Sequence, residues 1–158
     1  MSYHIDIQHA CAEPLPVNDD ILIDWAKLAL GTCKDSAELT LRFVEPEEIT
    51  YLNRTYRHQD KATNVLAFPT NIPTSVELEY PLLGDVIICP TVLKEESNAQ
   101  EKPLTAHWAH IVIHGVLHLL GYDHMEEKDA KIMQALEIDM LAKLGFENPY
   151  QTEDDKIE

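Results

Sequence analysis

The stretch HGVLHLLGYDH, residues 114–124, holds three histidines in eleven positions. His114 and His118 are four apart, so on a helix their side chains leave one face about 40° apart, near enough for two imidazoles to share an ion. Gly121 lets the chain leave the helix through a positive φ, and the turn through Tyr122 and Asp123 brings His124 back toward the same point. Three neutral imidazole nitrogens with a fourth position open are the donor set of a catalytic zinc site rather than a closed structural one. The spacing H-x-x-x-H-x-x-G-x-x-H matches that of a class of zinc peptidases except at one position, where Gly115 replaces the catalytic glutamate. One Zn²⁺ per chain is expected, although three imidazoles also accept nickel, cobalt or copper.

Gly115 cannot take a proton from a metal-bound water and pass it to a leaving amine. Amide hydrolysis suffers most from that loss, because its leaving group is poor. Phosphodiester cleavage suffers less: a metal lowers the pKa of bound water to about 7 and polarises the phosphoryl oxygen, and an arginine stabilises the developing charge. The charge map offers such an arginine. The chain has 12 basic and 28 acidic residues, a formal net charge of −16, so its average field repels nucleic acid. Its three arginines are Arg42, Arg54 and Arg57, and the last two lie with Lys61 in LNRTYRHQDKATN, whereas acid accumulates from Glu126 to Glu158. An anionic ester therefore has one basic patch to meet. Two further side chains carry open readings. His110, on the helical stripe of His114, either reaches the ligands or substrate or is a packed, hydrogen-bonded histidine. Asp123 either holds a ligand histidine by its ring N–H, acts as base, or caps the last helix.

The elements that must position these residues read as one α/β (α+β) domain over 1–150 with a frayed acidic tail over 151–158. Strands are expected at 3–10, 37–45, 64–69 and 84–90, from alternation or short apolar runs. Helices are expected at 21–30 behind Asn18, Asp19 and Asp20 as capping residues, from Pro46 through Arg57, over 91–100, over 103–120 and over 126–146. The last is amphipathic, with Ile132, Leu136, Met140 and Leu144 repeating on one face. The segment 69–83, rich in proline, reads as an irregular excursion. A small mixed sheet of about four strands with about five helices follows. Cys11, Cys33 and Cys89 are scattered and favour reduced thiols, and no apolar run approaches the length of a membrane span, so the cytoplasm is the expected compartment.

LNRTYRHQDKATNVLAFP (52–69), LLGDVIIC (82–89) and HGVLHLLGYDH (114–124), in that order, resemble the YbeY family of bacterial endoribonucleases and rRNA maturation factors nearly end to end. The resemblance implies a zinc-protease-like fold and metal-dependent, single-strand-specific cleavage of RNA in the cytoplasm. It also implies a role near the 3′ end of small-subunit rRNA and in ribosome quality control, with ribosomal proteins or a ribosome-associated GTPase as partners. The family's zinc ligands fall on His114, His118 and His124, and its functional arginine on Arg57, which is expected to contact RNA phosphate; Arg54, Lys61 and His110 are subsidiary RNA-binding candidates. Many members read T-D-V-L-S-F-P where this chain has TNVLAFP, so Asn64 replaces Asp and Ala67 replaces Ser, which bears on substrate preference. Two rivals stand beside this reading: a zinc peptidase or amidase, and a ribosome-assembly factor whose metal is structural.

Overall fold

The computed structural model describes residues 2–31, 36–70, 82–123 and 125–150. Cys33, most of the proline-rich excursion, His124 and the 151–158 tail lie outside the described residues. Within them the chain runs β1 (Ser2–Ala10), α1 (Asp19–Leu30), β2 (Ser36–Val44), α2 (Pro46–Arg57), β3 (Val65–Pro69), β4 (Leu82–Ile88), α3 (Pro90–Gln100), α4 (Leu104–Leu119) and α5 (Glu127–Lys143). The sheet has four strands in the order β1-β2-β4-β3. β1 and β4 flank β2 in parallel, and β3 closes antiparallel on β4 as an edge strand.

Local signals explain most boundaries. Asn18 caps α1, its Oδ1 accepting from the Ile21 amide at 3.1 Å, and α2 and α3 each begin with proline, where the missing N–H costs nothing. α4 ends in a Schellman turn: Gly121 takes φ +103°, its amide donates to the His118 carbonyl at 3.0 Å, and the Tyr122 amide donates to Leu117 at 3.1 Å.

Alternation in the strands divides the core between the two sheet faces. Leu39, Leu41 and Phe43 of β2 and Val86 and Ile88 of β4 turn toward α1 and α4, where Trp108 is 1% exposed and stacks on Phe43 at 5.5 Å. Val44, Leu66, Ile87 and Cys89 form a smaller cluster with Ile49 of α2 on the opposite face. Helix α4 is the central element, with ten of its sixteen residues buried, which places its remaining polar positions at the rim of the sheet.

Of the expected stripe on α5, Met140 is buried and Leu136 and Leu144 pack against the core, and Ile132 departs from it. Met133, Glu137, Met140 and Leu141 face inward, whereas Ile132 is 47% exposed. The helix is turned so that a carboxylate, not Ile132, meets α4. That choice follows from polar contacts described below rather than from apolar periodicity.

Gly115 explains how closely α4 lies on the sheet. A Cβ built there would stand 2.6 Å from Val86 Cγ1 and 3.4 Å from Val65 Cγ2. Any larger side chain would drive the helix off β4. Gly115→Ala is therefore expected to destabilise by about 1 kcal/mol, the overpacking cost of about 1–3 kcal/mol exceeding the helix-propensity gain of up to about 1 kcal/mol. A thermal melt should show a midpoint lower by about 2–4 °C for a domain of this size. An unchanged or raised midpoint would mean that Val86 yields without cost.

Candidate metal centre and substrate groove

Helix α4 presents His110, His114 and His118 on successive turns of one face. The His114 and His118 rings meet edge to face with centroids 4.6 Å apart, and their Nε2 atoms are 3.1 Å apart. Two nitrogens bound to one tetrahedral ion at about 2.0–2.1 Å would be separated by roughly 3.3 Å. The pair thus fits a shared ion with little adjustment. The chain turns after Gly121; His124, the third ligand expected from the sequence, lies outside the described residues.

The tautomer of His114 is set from behind. Its Nδ1–H donates to Glu137 Oε2 at 2.9 Å, and His110 Nε2–H donates to the same oxygen at 2.9 Å. The Tyr150 hydroxyl donates to Glu137 Oε1. Glu137 is 0% exposed, a position a carboxylate holds only when its lone pairs are satisfied. Burial alone would raise its pKa, but the hydrogen bonds and charge of His110 and His114 outweigh burial and hold it at about 2. Tyr150 shifts the other way, its phenol pushed up by burial and by the adjacent carboxylate. With Nδ1 committed to Glu137, the lone pair of His114 is left on Nε2, on the His118 side.

A second gathering of ligand atoms follows from the same contacts: His110, His114 and Glu137 offer atoms within 4.8 Å of one another. There the carboxylate already accepts three hydrogen bonds, and an ion would have to displace them. The Nε2 side instead opens onto a groove of about 850 Å³.

One wall of that groove is α4 and the turn after it, through His114, Gly115, His118, Gly121, Tyr122 and Asp123; the other is β3 and the loop before it, through Asn64, Val65, Ala67 and Pro69, with Asn53 and Arg57 of α2. The groove therefore brings Arg57 together with His114, His118 and Asp123 from a distant part of the sequence. Arg57 Nη2 donates to the Ala67 carbonyl at 2.8 Å, and the guanidinium stands 5.6 Å from the Phe68 ring centroid. These contacts fix the head group on the groove wall, while its other N–H groups remain as donors. Asp123 Oδ1 accepts from the Met125 amide at 3.1 Å and so shapes the turn rather than capping α5, whose N-cap is Glu126.

The remaining sequence candidates lie outside the groove wall. Arg54 pairs with Asp60 at 3.2 Å, and Lys61 is exposed. His110 is turned to Glu137 and Tyr150, the packed alternative of its two readings. Arg42 serves the fold, gripping Glu48 through Nε at 2.8 Å and Nη2 at 3.1 Å and Gln8 at 3.0 Å.

Three supporting residues were missed in the sequence. Glu137 and Tyr150 orient the imidazoles, and Asn53, 4% exposed, donates from Nδ2 to the Lys61 carbonyl at 3.0 Å, holding the loop after α2 against the groove. The only sequence signal for Glu137 was its position between Met133 and Met140 on one helical face.

Comparison with known proteins agrees with this architecture. A family model described as Endoribonuclease YbeY matches residues 17–145. Proteins named Endoribonuclease YbeY from Legionella pneumophila strains Corby and Lens are each 56% identical over 158 residues, covering 100% of both chains. The solution structure of TM1509 from Thermotoga maritima aligns with a TM-score of 0.58 at 26% identity, over 89% of this chain and 88% of that one.

The depressed Glu137 carboxyl carries a pH dependence with a definite sign. Its folded value of about 2 lies below the ordinary 4.5, so its contribution is fully present above the unfolded value and is lost as pH falls from there toward the folded one. Urea unfolding of chelator-treated protein between pH 7 and pH 3 should show this loss, at most about 3 kcal/mol in total, and Glu137→Gln should flatten that acid limb. A variant with an acid limb as steep as the wild type's would contradict the assignment.

Proposed function

The chain belongs to the YbeY endoribonuclease family, and on that premise we propose that it is a metal-dependent endoribonuclease that cuts single-stranded RNA in rRNA maturation, near the 3′ end of the small-subunit rRNA, and in ribosome quality control. The observation that carries the reading is the groove itself, where two imidazole Nε2 atoms 3.1 Å apart share walls with Arg57.

His114 and His118 would hold one Zn²⁺ through Nε2, with His124 as the proposed third ligand. When bound, the ion supplies Lewis acidity and lowers the pKa of a coordinated water. The chain's own residues do the rest. Arg57 binds a phosphate oxygen and offsets charge developing at phosphorus. Asp123 is the only carboxylate among the described residues lining the groove, and is the side chain proposed to accept the nucleophile's proton. Arg54 and Lys61, exposed beside the groove, add weak attraction for the flanking RNA, which salt screens readily.

The peptidase alternative is disfavoured by two features of the same groove. Position 115 has no room for a glutamate against Val86. The open edge of β3, where an extended peptide would pair, has its Ala67 carbonyl taken by Arg57 and a proline at position 69 that lacks an N–H. The low affinity expected of so acidic a chain fits recruitment by ribosomal proteins or a ribosome-associated GTPase. Among the described residues no helix is long and apolar enough to cross a membrane, which accords with action on ribosomes in the cytoplasm.

The test couples metal analysis to cleavage of a single-stranded RNA oligonucleotide. Wild-type protein should carry one zinc, lose cleavage to a chelator and regain it with zinc. His118→Ala should lose metal and at least 100-fold in rate. Arg57→Ala should keep its metal and its melting temperature while losing about 10²-fold or more in kcat/KM. Zinc-loaded wild-type protein that cuts no single-stranded RNA would overturn the proposal, and so would full activity in Arg57→Ala.

A further inference from the structure

Asn64 stands between the groove and a carboxylate that fixes how its amide is turned. Its Nδ2 lies 3.2 and 3.3 Å from Glu96 Oε1 and Oε2. Glu96 Oε1 also accepts from His107 Nε2–H at 2.9 Å, on the 6% exposed imidazole of α4. Burial opposes ionisation of Glu96, but the hydrogen bonds from His107 and Asn64 prevail and hold its carboxyl below the ordinary range. An ionised carboxylate only accepts. The Asn64 amide therefore has one orientation, Nδ2 toward Glu96 and Oδ1 away from it, without the ambiguity that usually attends asparagine. Asn64 lines the groove beside Arg57 and His114.

We propose that Asn64 is a specificity-determining residue whose Oδ1 accepts a hydrogen bond from a donor on the bound nucleotide, the ribose 2′-hydroxyl or a base N–H. The inference rests on the endoribonuclease reading and adds to it. A carbonyl oxygen gains nothing from a phosphodiester, whose oxygens are themselves acceptors. Of the parts of a nucleotide chain, the sugar hydroxyl and the base amino or imino groups are the donors, and the first is what separates RNA from DNA. Arg57 and Asn64 thus divide the substrate between them, one taking the phosphate and the other a donor beside it. An aspartate at position 64 would put a second carboxylate against Glu96, and one of the two would have to hold a proton. Asparagine supplies the acceptor without that coupling.

The experiment measures KM for a single-stranded RNA and the competitive Ki of single-stranded DNA of the same sequence, for zinc-loaded wild type and Asn64→Ala of matched melting temperature. A hydrogen bond between neutral groups predicts a three- to tenfold rise, by about 0.5–1.5 kcal/mol. A rise in the RNA KM with the DNA Ki unchanged identifies the 2′-hydroxyl, and a rise in both identifies a base N–H. No rise in either overturns the proposal while leaving the nuclease reading intact, whereas a wild type without RNA cleavage would fail at the earlier step. An arm independent of any variant scans the RNA with single 2′-deoxy positions outside the cut bond: if the donor is the 2′-hydroxyl, one position should weaken wild-type KM by the same factor and have no effect on Asn64→Ala. A 2′-deoxy effect equal in both proteins also counts against Asn64.

Discussion

Helix α4 holds His114 and His118 at the groove because Gly115, between them, lets the helix lie so close to Val86 of β4 that a Cβ at position 115 would stand 2.6 Å from the valine methyl. That seating has two consequences. It brings the imidazoles to the level of the β3 edge, opposite Arg57, and it leaves no volume for a side chain where a peptidase keeps its base. The missing glutamate is thus not a gap in an otherwise conserved device. The glycine that stands where the base would be lines the same groove as the two histidines and Arg57 of α2.

Behind the imidazoles, Glu137 performs the complementary task. A carboxylate at 0% exposure survives there through donors from His110 and His114 on successive turns of α4 and from Tyr150. Removing one donor would leave buried charge undercompensated, which costs more than the lost bond is worth. The cluster ties α5 and the segment ending at Tyr150 to α4, and it fixes which nitrogen of His114 faces the groove. Stability and ligand geometry are carried by the same three hydrogen bonds. The Glu96, His107 and Asn64 cluster repeats the arrangement one helix away, with a half-buried carboxylate dictating how a groove residue is turned.

Much of this was legible in the sequence because local signals coincided. Proline at the starts of α2 and α3, Asn18 before α1, Gly121 after α4 and clean alternation in β2 each name a boundary, and the histidine spacing places two imidazoles side by side from helix geometry alone. Gly115 and the basic patch around Arg54, Arg57 and Lys61 tilted the chemistry toward an anionic ester, and the family resemblance narrowed it to RNA and to Arg57. What stayed hidden depends on distant pairing. Glu137 lies 23 residues from His114 and 27 from His110, and a glutamate within an acidic helix reads as solvated. Leu136, Met140 and Leu144 of the expected stripe pack into the core, and Ile132 alone departs from it, because apolar spacing fixes a helix face only to within about one residue and a satisfied carboxylate can outweigh an isoleucine. The strand order was equally out of reach, since short strands of similar composition do not reveal which one ends up at the edge beside the groove.

The central claim is that the metal sits on the groove side of His114, facing Arg57, and not on the carboxylate side. An anomalous difference map from crystals of the zinc-loaded protein tests it directly. The account predicts a single strong peak about 2.0–2.1 Å from Nε2 of both His114 and His118, with Glu137 still hydrogen-bonded to His114 Nδ1. A peak among His110, His114 Nδ1 and Glu137, with the Nε2 pair unligated, would contradict it.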